Sequence, residues 1–275
     1  MILPTNTQFV GETQNQPRRH RQKPFLLAAW TILVYAFLYL PIFVLITLSF
    51  NKSKIFSLPF KGLTFDWYSV AFADSSLKEA LVNSLQVAAS ATILATFLGL
   101  LAAFAIYRYQ FFGKNAFRIA INLPILLPGV VTGVAMLAYF SSLGLQLSLW
   151  TVILGHVVFG LPVAMGPILA RLTQFPRILE EAAYDLGARP GQVFFGVIFP
   201  YIRSAIFSGA MLAFTLSFDE VVVTIFLTGR ENTLPMEIWA RLRTDITPEI
   251  AAAATLVLLA SGAIVLLNQL VTAND

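Results

Sequence analysis

Few side chains in this sequence could do chemistry, and they stand in three places. The densest set is EEAAYDLGARPGQVFFGVIFP, residues 180–200, where Glu180, Glu181, Asp185 and Arg189 lie between two apolar runs. The second is the adjacent pair Asp219–Glu220, set inside the apolar stretch LSFDEVVV. The third is Asp66, followed directly by Trp67 and Tyr68. A carboxylate kept inside an apolar run needs a ligand, water or a partner to offset its cost. Asp219 and Glu220 are therefore candidates to line a path, and the rings beside Asp66 could offer a cation an aromatic face. For Trp67 the competing role is an anchor at the membrane interface.

What is missing narrows the chemistry. His156 stands in an apolar run without an H-E-x-x-H or G-x-S-x-G motif, so it is expected to hydrogen-bond a neighbouring helix rather than catalyse. No nucleophile–base set is visible, which argues against an intramembrane enzyme. There is no cysteine, which excludes disulfides and thiolate metal sites. No G-x-x-x-x-G-K-[ST] loop occurs, so any ATP would be bound by another chain.

The elements that must position these residues are membrane helices. The chain has 275 residues, 57% of them hydrophobic and only 12% charged, against about 25% charged in a soluble domain. Six stretches reach the roughly 20 apolar residues that a spanning helix needs: Phe25–Phe50, Leu81–Tyr107, Ile119–Phe140, Trp150–Leu169, Ile202–Leu227 and Ile250–Val271. They do not alternate as barrel strands do. The expected fold is an all-α bundle of six spans over residues 25–275, preceded by a polar tail, 1–24, that reads as disordered. The net charge of +4 is spread among loops and gives no reason to expect nucleic acid.

Loop charge orients the bundle. With the N-terminus in the cytoplasm, inner segments carry eleven Lys and Arg residues and outer segments seven, so both ends are expected inside. Residues 172–200 then form a cytoplasmic loop. In it Pro176 can open a short helix, Gly187 suits a left-handed helix end, and Pro190 can start a second short helix that Pro200 closes before the fifth span. Ile178, Leu179, Ala182, Ala183 and Leu186 fall on one side of the first helix. The small Ala182–Ala183 pair lets another surface approach, with Glu180, Glu181 and Asp185 as acceptors beside it. A plain interfacial connector would also suit these residues.

On the fifth span, Gly209, Ala213, Ser217, Glu220 and Thr224 share one helical face, and Ser208, Thr215 and Asp219 share another about 100° away. Together they make a small, polar wedge suited to line a path. The competing reading ends the span near residue 218 and leaves both acids in water.

Glu181-Ala182-Ala183, three residues, Gly187, nine residues, then Val197-Ile198-Phe199-Pro200 resembles the E-A-A-x3-G-x9-I-x-L-P loop of ABC-importer permeases. It differs only in Val197 for Ile and Phe199 for Leu. The stretches LTFDWYSVAFADSSLKEALVNSLQVA, YRYQFFGK, LGLQLSLWTVILGHVVFGLP and LSFDEVVVTIFLTG extend the resemblance to polyamine permeases of the spermidine/putrescine type, over about residues 25–271. One departure is Gly129, where such permeases often carry an Asp.

This resemblance implies a permease in the bacterial inner membrane that binds no cofactor itself. Glu181, Ala182, Ala183 and Gly187 would seat in a groove of a cytoplasmic ATPase dimer that holds the ATP. A second homologous permease subunit and an external solute-binding protein would complete the assembly. Asp219, Glu220 and Trp67 would line the path of a ligand with several ammonium groups. Two alternatives stay open: a permease of the same group that carries another small solute, and an ion-coupled carrier. Ion-coupled carriers often show inverted repeats, and none is evident here.

Overall fold

In the computed structural model, residues 24–53, 60–243 and 247–272 are described. The expected tail, 1–24, lies outside the described residues except for Pro24. The chain divides into two units, Met1–Val44 and Leu45–Asp275. Described residues of the first unit form most of α1 (Pro24–Ser49), an apolar helix with Pro41 inside.

The second unit continues from the end of α1 through eleven more helices among the described residues. They are α2 (Asp66–Ala73), α3 (Ser75–Arg108), α4 (Lys114–Leu126), α5 (Gly129–Ser142), α6 (Leu149–Thr173), α7 (Arg177–Asp185), α8 (Pro190–Val193), α9 (Phe199–Asp219), α10 (Thr224–Leu227), α11 (Leu234–Leu242) and α12 (Pro248–Thr272). Among the described residues there is no strand, and the all-α expectation holds.

Helices α3, α6 and α9 pack together as the centre of this unit. Their contact is made by small residues, which let backbones approach where apolar lipid gives little drive to associate. A Cβ added to Gly99 of α3 would lie 3.0 Å from the Met165 amide nitrogen of α6, and one on Gly209 of α9 would lie 2.6 Å from the Ala164 carbonyl oxygen. Ala95, Ala164 and Ala213 fill the same seam and are almost fully buried. Towards the α7 end the seam opens into a larger cluster that includes Ile106, Ile168, Leu172, Phe175, Val193 and Ile202.

Among the described residues, four helical stretches are long and apolar enough to cross a membrane: Leu27–Ser49, Ser75–Arg108, Leu149–Thr173 and Pro190–Asp219. The third apolar run is not one straight helix. It bends by 108° between α4 and α5, and the pair makes a fifth crossing if taken as one span. The cause is Pro128, which disfavours helical geometry in the residue before it; Leu127 is extended, with φ −87° and ψ 146°. The sixth run lies on α12, whose apolar part covers Pro248–Ala263.

Two boundaries differ from those expected. Pro200 does not close a separate short helix. A π-turn at Phe194–Ile198 joins α8 to α9, with the Phe199 N–H bonded to the Phe194 carbonyl, so Pro190–Asp219 runs as one helical stretch. The wider turn accommodates a residue that has no N–H to give and would crowd a regular turn. The fifth span also stops short of Leu227. Glu220 is extended, with φ −73° and ψ 120°, and α10 resumes as one turn at Thr224. The apolar run Val221–Val223 hid this break, because hydrophobicity alone does not report a cap.

Candidate functional site

The hairpin at 177–200 is built by local signals and anchored from a distance. Helix α7 ends at the left-handed Gly187, φ 80°. The Gly187 N–H reaches the Tyr184 carbonyl at 2.8 Å and the Ala188 N–H reaches the Ala183 carbonyl at 3.0 Å. This pair of bonds satisfies carbonyls that the helix end would otherwise leave bare. At the next turn the Arg189 N–H is accepted by Gln192 Oε1 at 2.8 Å. Pro176 stands one position earlier than a first helical residue, as the N-cap of α7.

The anchors were not evident in the sequence. Glu180 is 4% exposed and its Oε1 lies 2.6 Å from Arg108 Nη1, in the last turn of α3. The Arg177 guanidinium stands 5.7 Å from the centre of the Tyr107 ring. On the other arm, Arg171 lies 4.4 Å over Tyr201, whose hydroxyl donates to the Gln174 carbonyl at 3.2 Å.

So Glu180 is not an outward acceptor as expected: it is turned inward to an arginine. Ala183, expected on the outward apolar side, is half-buried against the core. Exposed instead are Glu181, Ala182, Asp185 and Gly187, with Ile178, Leu179 and Leu186 around them; Leu186 is 89% exposed. The hairpin thus presents an apolar surface edged by two carboxylates, on a base held by an ion pair.

Two separate hollows mark the groove between α6 and α9. The one near the hairpin is lined by Pro167, Ala170, Arg171, Gln174, Ser204 and Ser208. Further along, a cavity of about 400 Å³ is lined by Val163, Leu212, Thr215, Leu216, Asp219 and Glu220. The expected polar wedge therefore separates into two faces with different surroundings. Ser208, Thr215 and Asp219 face the groove. Gly209, Ala213, Ser217 and Thr224 are buried, with Gly209 against Ala164 and both hydroxyls on His156.

The two acids meet in this cavity but are held differently. Asp219, the last residue of α9, is exposed and accepts one bond, from Ser261 Oγ of α12 at 3.2 Å. Glu220 caps the following turn: its Oε1 accepts the Val223 N–H at 2.9 Å. Gly129 of α5 lies beside the same corner, since a Cβ there would come within 3.3 Å of Val222. Trp67 is not among the residues that line this cavity. Its indole N–H donates to the Asn51 carbonyl at 2.8 Å, which makes it a brace of the loop before α2. The aromatic residue beside Asp219 is Trp239, across a smaller cavity, and Arg243 is stacked on it at 3.5 Å.

Beyond these acids, a charged cluster ties the start of α3 to α11. Asp74 caps α3 by accepting the Ser76 and Leu77 N–H groups at 2.8 and 3.1 Å, and it also accepts Arg241 Nη1 at 2.7 Å. Arg241 Nε donates to Glu237 at 2.9 Å, and Asn232 donates to the same carboxylate at 2.9 Å. The Arg241 bond, with help from the helix N–H groups, holds the Asp74 carboxyl well below its usual range despite partial burial. For Glu237, burial pushes upward, and the bonds from Asn232, Arg241 and Ser76 outweigh it to leave a lowered value.

Comparison with known proteins adds four findings. Residues 95–274 match the family described as binding-protein-dependent transport system inner membrane component. The chain is 40% identical over 252 residues to the spermidine/putrescine transport system permease protein PotC of Haemophilus influenzae, covering 91% of this chain and 98% of that one. It is 38% identical over 251 residues to the putrescine transport system permease protein PotI of Escherichia coli, covering 87% and 89%. In fold it is similar to a chain of the bacterial alginate ABC transporter solved with a pentasaccharide-bound periplasmic protein, at a TM-score of 0.66 and 17% identity over 90% of this chain and 92% of that one.

Proposed function

The chain belongs to the binding-protein-dependent transport system inner membrane component family, and from that premise we propose that it is the permease subunit of an ATP-driven importer of polyamines. The observation that carries the substrate class is the 40% identity, over nearly the whole chain, to a permease named for spermidine and putrescine. The α6–α9 groove fits that reading. Its carboxylates, Asp219 and Glu220, sit at one end of a mostly apolar channel wall, where charge-assisted bonds can grip an ammonium group and neighbouring methylenes meet apolar side chains. Trp67 belongs to the proposal as a brace near the entry rather than as a ring stacked on the ligand.

Six crossings with both ends in the cytoplasm complete the reading, supported by the excess of Lys and Arg on that side. Two copies of an ATPase subunit bind and hydrolyse the ATP, and one of them receives Glu181, Ala182, Ala183 and Gly187. A second homologous permease closes the groove from the opposite side, and an external binding protein delivers the solute. Lipid surrounds the rest. This chain holds no cofactor and carries no hydrolytic chemistry.

The test is reconstitution in proteoliposomes with the ATPase, the second permease and the binding protein, measuring ATP-dependent uptake of labelled spermidine and putrescine. Uptake of either, dependent on ATP, is expected. Uptake of an unrelated solute with no polyamine transport would overturn the substrate class. The Gly187→Val variant adds a branched side chain at φ 80°, a strain of about 1–2 kcal/mol. It should insert in the membrane yet lose solute-stimulated ATP hydrolysis; normal hydrolysis would count against the docking role.

A further inference from the structure

The break at Glu220 is held from both flanks by one side chain. His156 of α6 is 2% exposed. Its Nδ1 lies 2.7 Å from Ser217 Oγ, before the acids, and its Nε2 lies 3.0 Å from Thr224 Oγ1, after them. The protons can be assigned from the chain of bonds. Thr224 gives its hydroxyl proton to the Glu220 carbonyl at 2.9 Å, so towards the ring it can only accept, and Nε2 carries the hydrogen. In the neutral ring Nδ1 is then bare and accepts the Ser217 hydroxyl. Each proton in the set has an acceptor.

Neither hydroxyl needs the histidine for its own satisfaction. Thr224 already bonds the carbonyl four residues back, and a serine in a helix can do the same. What the ring adds is a tie between the two sides of the break. Its neighbours on α6 support the same corner: the Thr151 hydroxyl lies 2.7 Å from the Leu227 carbonyl, and Gly155 leaves the space that the Leu227 side chain fills.

We infer that His156 is a positioning residue for the cation site, fixing where Asp219 and Glu220 stand by pinning Ser217 and Thr224. This rests on the reading of the two acids as cation contacts. The ring is too deeply buried to touch a ligand, and it acts through the eight-residue segment that it closes. A site ordered before the ligand arrives loses less binding free energy to ordering. With the tie cut, the acids still exist but no longer converge, and ATP is hydrolysed with less solute carried.

The experiment measures spermidine carried per ATP hydrolysed in proteoliposomes holding the whole transporter. His156→Leu and Thr224→Val should each lower that ratio about tenfold, within the range of coupling between contacting residues. His156→Gln, whose amide nitrogen can still reach Thr224, should recover to within about threefold of the parent. Thr224→Val keeps the side-chain shape and carries the test if His156→Leu does not assemble. In the Asp219→Asn/Glu220→Gln background, removing His156 should lower the ratio no further. A merely structural role would reduce uptake and hydrolysis together and leave the ratio unchanged, which overturns the inference. So does a full additional loss in the neutralised background. If instead the neutralised pair itself keeps the parent ratio, the cation-site reading fails, and the His156 inference fails with it.

Discussion

The hairpin at 177–200 and the corner at 217–227 use the same residue types in opposite ways. The hairpin turns an acid inward, Glu180 on Arg108, and leaves Leu186 and Ile178 outside. The corner turns neutral hydroxyls inward, Ser217 and Thr224 on His156, and leaves Asp219 facing a cavity. The first arrangement makes a surface that a protein can cover, since exposed apolar patches edged by charge mark contact sites. The second, in the function proposed above, serves a small cation, which needs charge within reach and a fixed wall behind it. Hydrophobicity by itself would misread both regions.

Three experiments bear on that contrast, from the largest expected effect to the smallest. Glu180→Leu removes the inward acid and strands Arg108. With Arg108 over a third exposed, the loss is smaller than for a fully buried pair, about 2 kcal/mol. Thermal unfolding of the purified complex should show it, along with weaker retention of the ATPase; an unchanged melting temperature would remove the brace from the account. At the corner, Asp219→Asn should lower polyamine uptake more than Glu220→Gln, by roughly tenfold against about threefold, as loss of a hydrogen bond to a charged group does. Glu220 spends an oxygen on the Val223 N–H at 2.9 Å, whereas the Asp219 oxygen meets an exposed hydroxyl, that of Ser261, at a longer 3.2 Å, and Asp219 is the more exposed of the two. A larger effect at Glu220 would reverse the assignment.

The smallest effect concerns Asp74, which belongs to neither region but shares the logic of the hairpin. Its folded carboxyl is held well below 3.8 by the Arg241 bond. A depressed acid contributes stability above its ordinary value and loses it as pH falls through the folded one. Asp74→Asn should therefore cost about 0.5–1 kcal/mol at any pH from about 5 to 8, with the gap to the parent closing below about 4. Melting temperatures across that range check the sign; a gap that widens in acid would contradict it.

The helical class and the hairpin turn were legible because they rest on local signals: long apolar runs, Gly187, Pro190. What was not legible depends on partners far along the chain. Glu180 could not be seen to face inward, because Arg108 lies in a different helix. The end of α9 was hidden by Val221–Val223, which continue the apolar run past a break that Glu220 makes by capping. Trp67 was open to two roles, a ring for a ligand or an anchor at the interface, and its bond to the Asn51 carbonyl, sixteen residues away, could not be read from either. The faces expected on α9 hold for Gly209, Ala213 and Ser217 on one side and Ser208, Thr215 and Asp219 on the other, but Glu220, expected with the first set, lies past the helix end and lines the cavity with Asp219, and Thr224 stands on the next turn.

Helix α3 also has a mechanical consequence. Its 34 residues make a rod about 51 Å long. It contains no proline, the usual cause of a sharp kink. One end is clamped to α11 through Asp74 and Arg241, and the other to the hairpin through Arg108 and Glu180. A rod fastened at both ends and lacking a proline joint is built to pass a tilt along rather than absorb it, as the arms of a lever do.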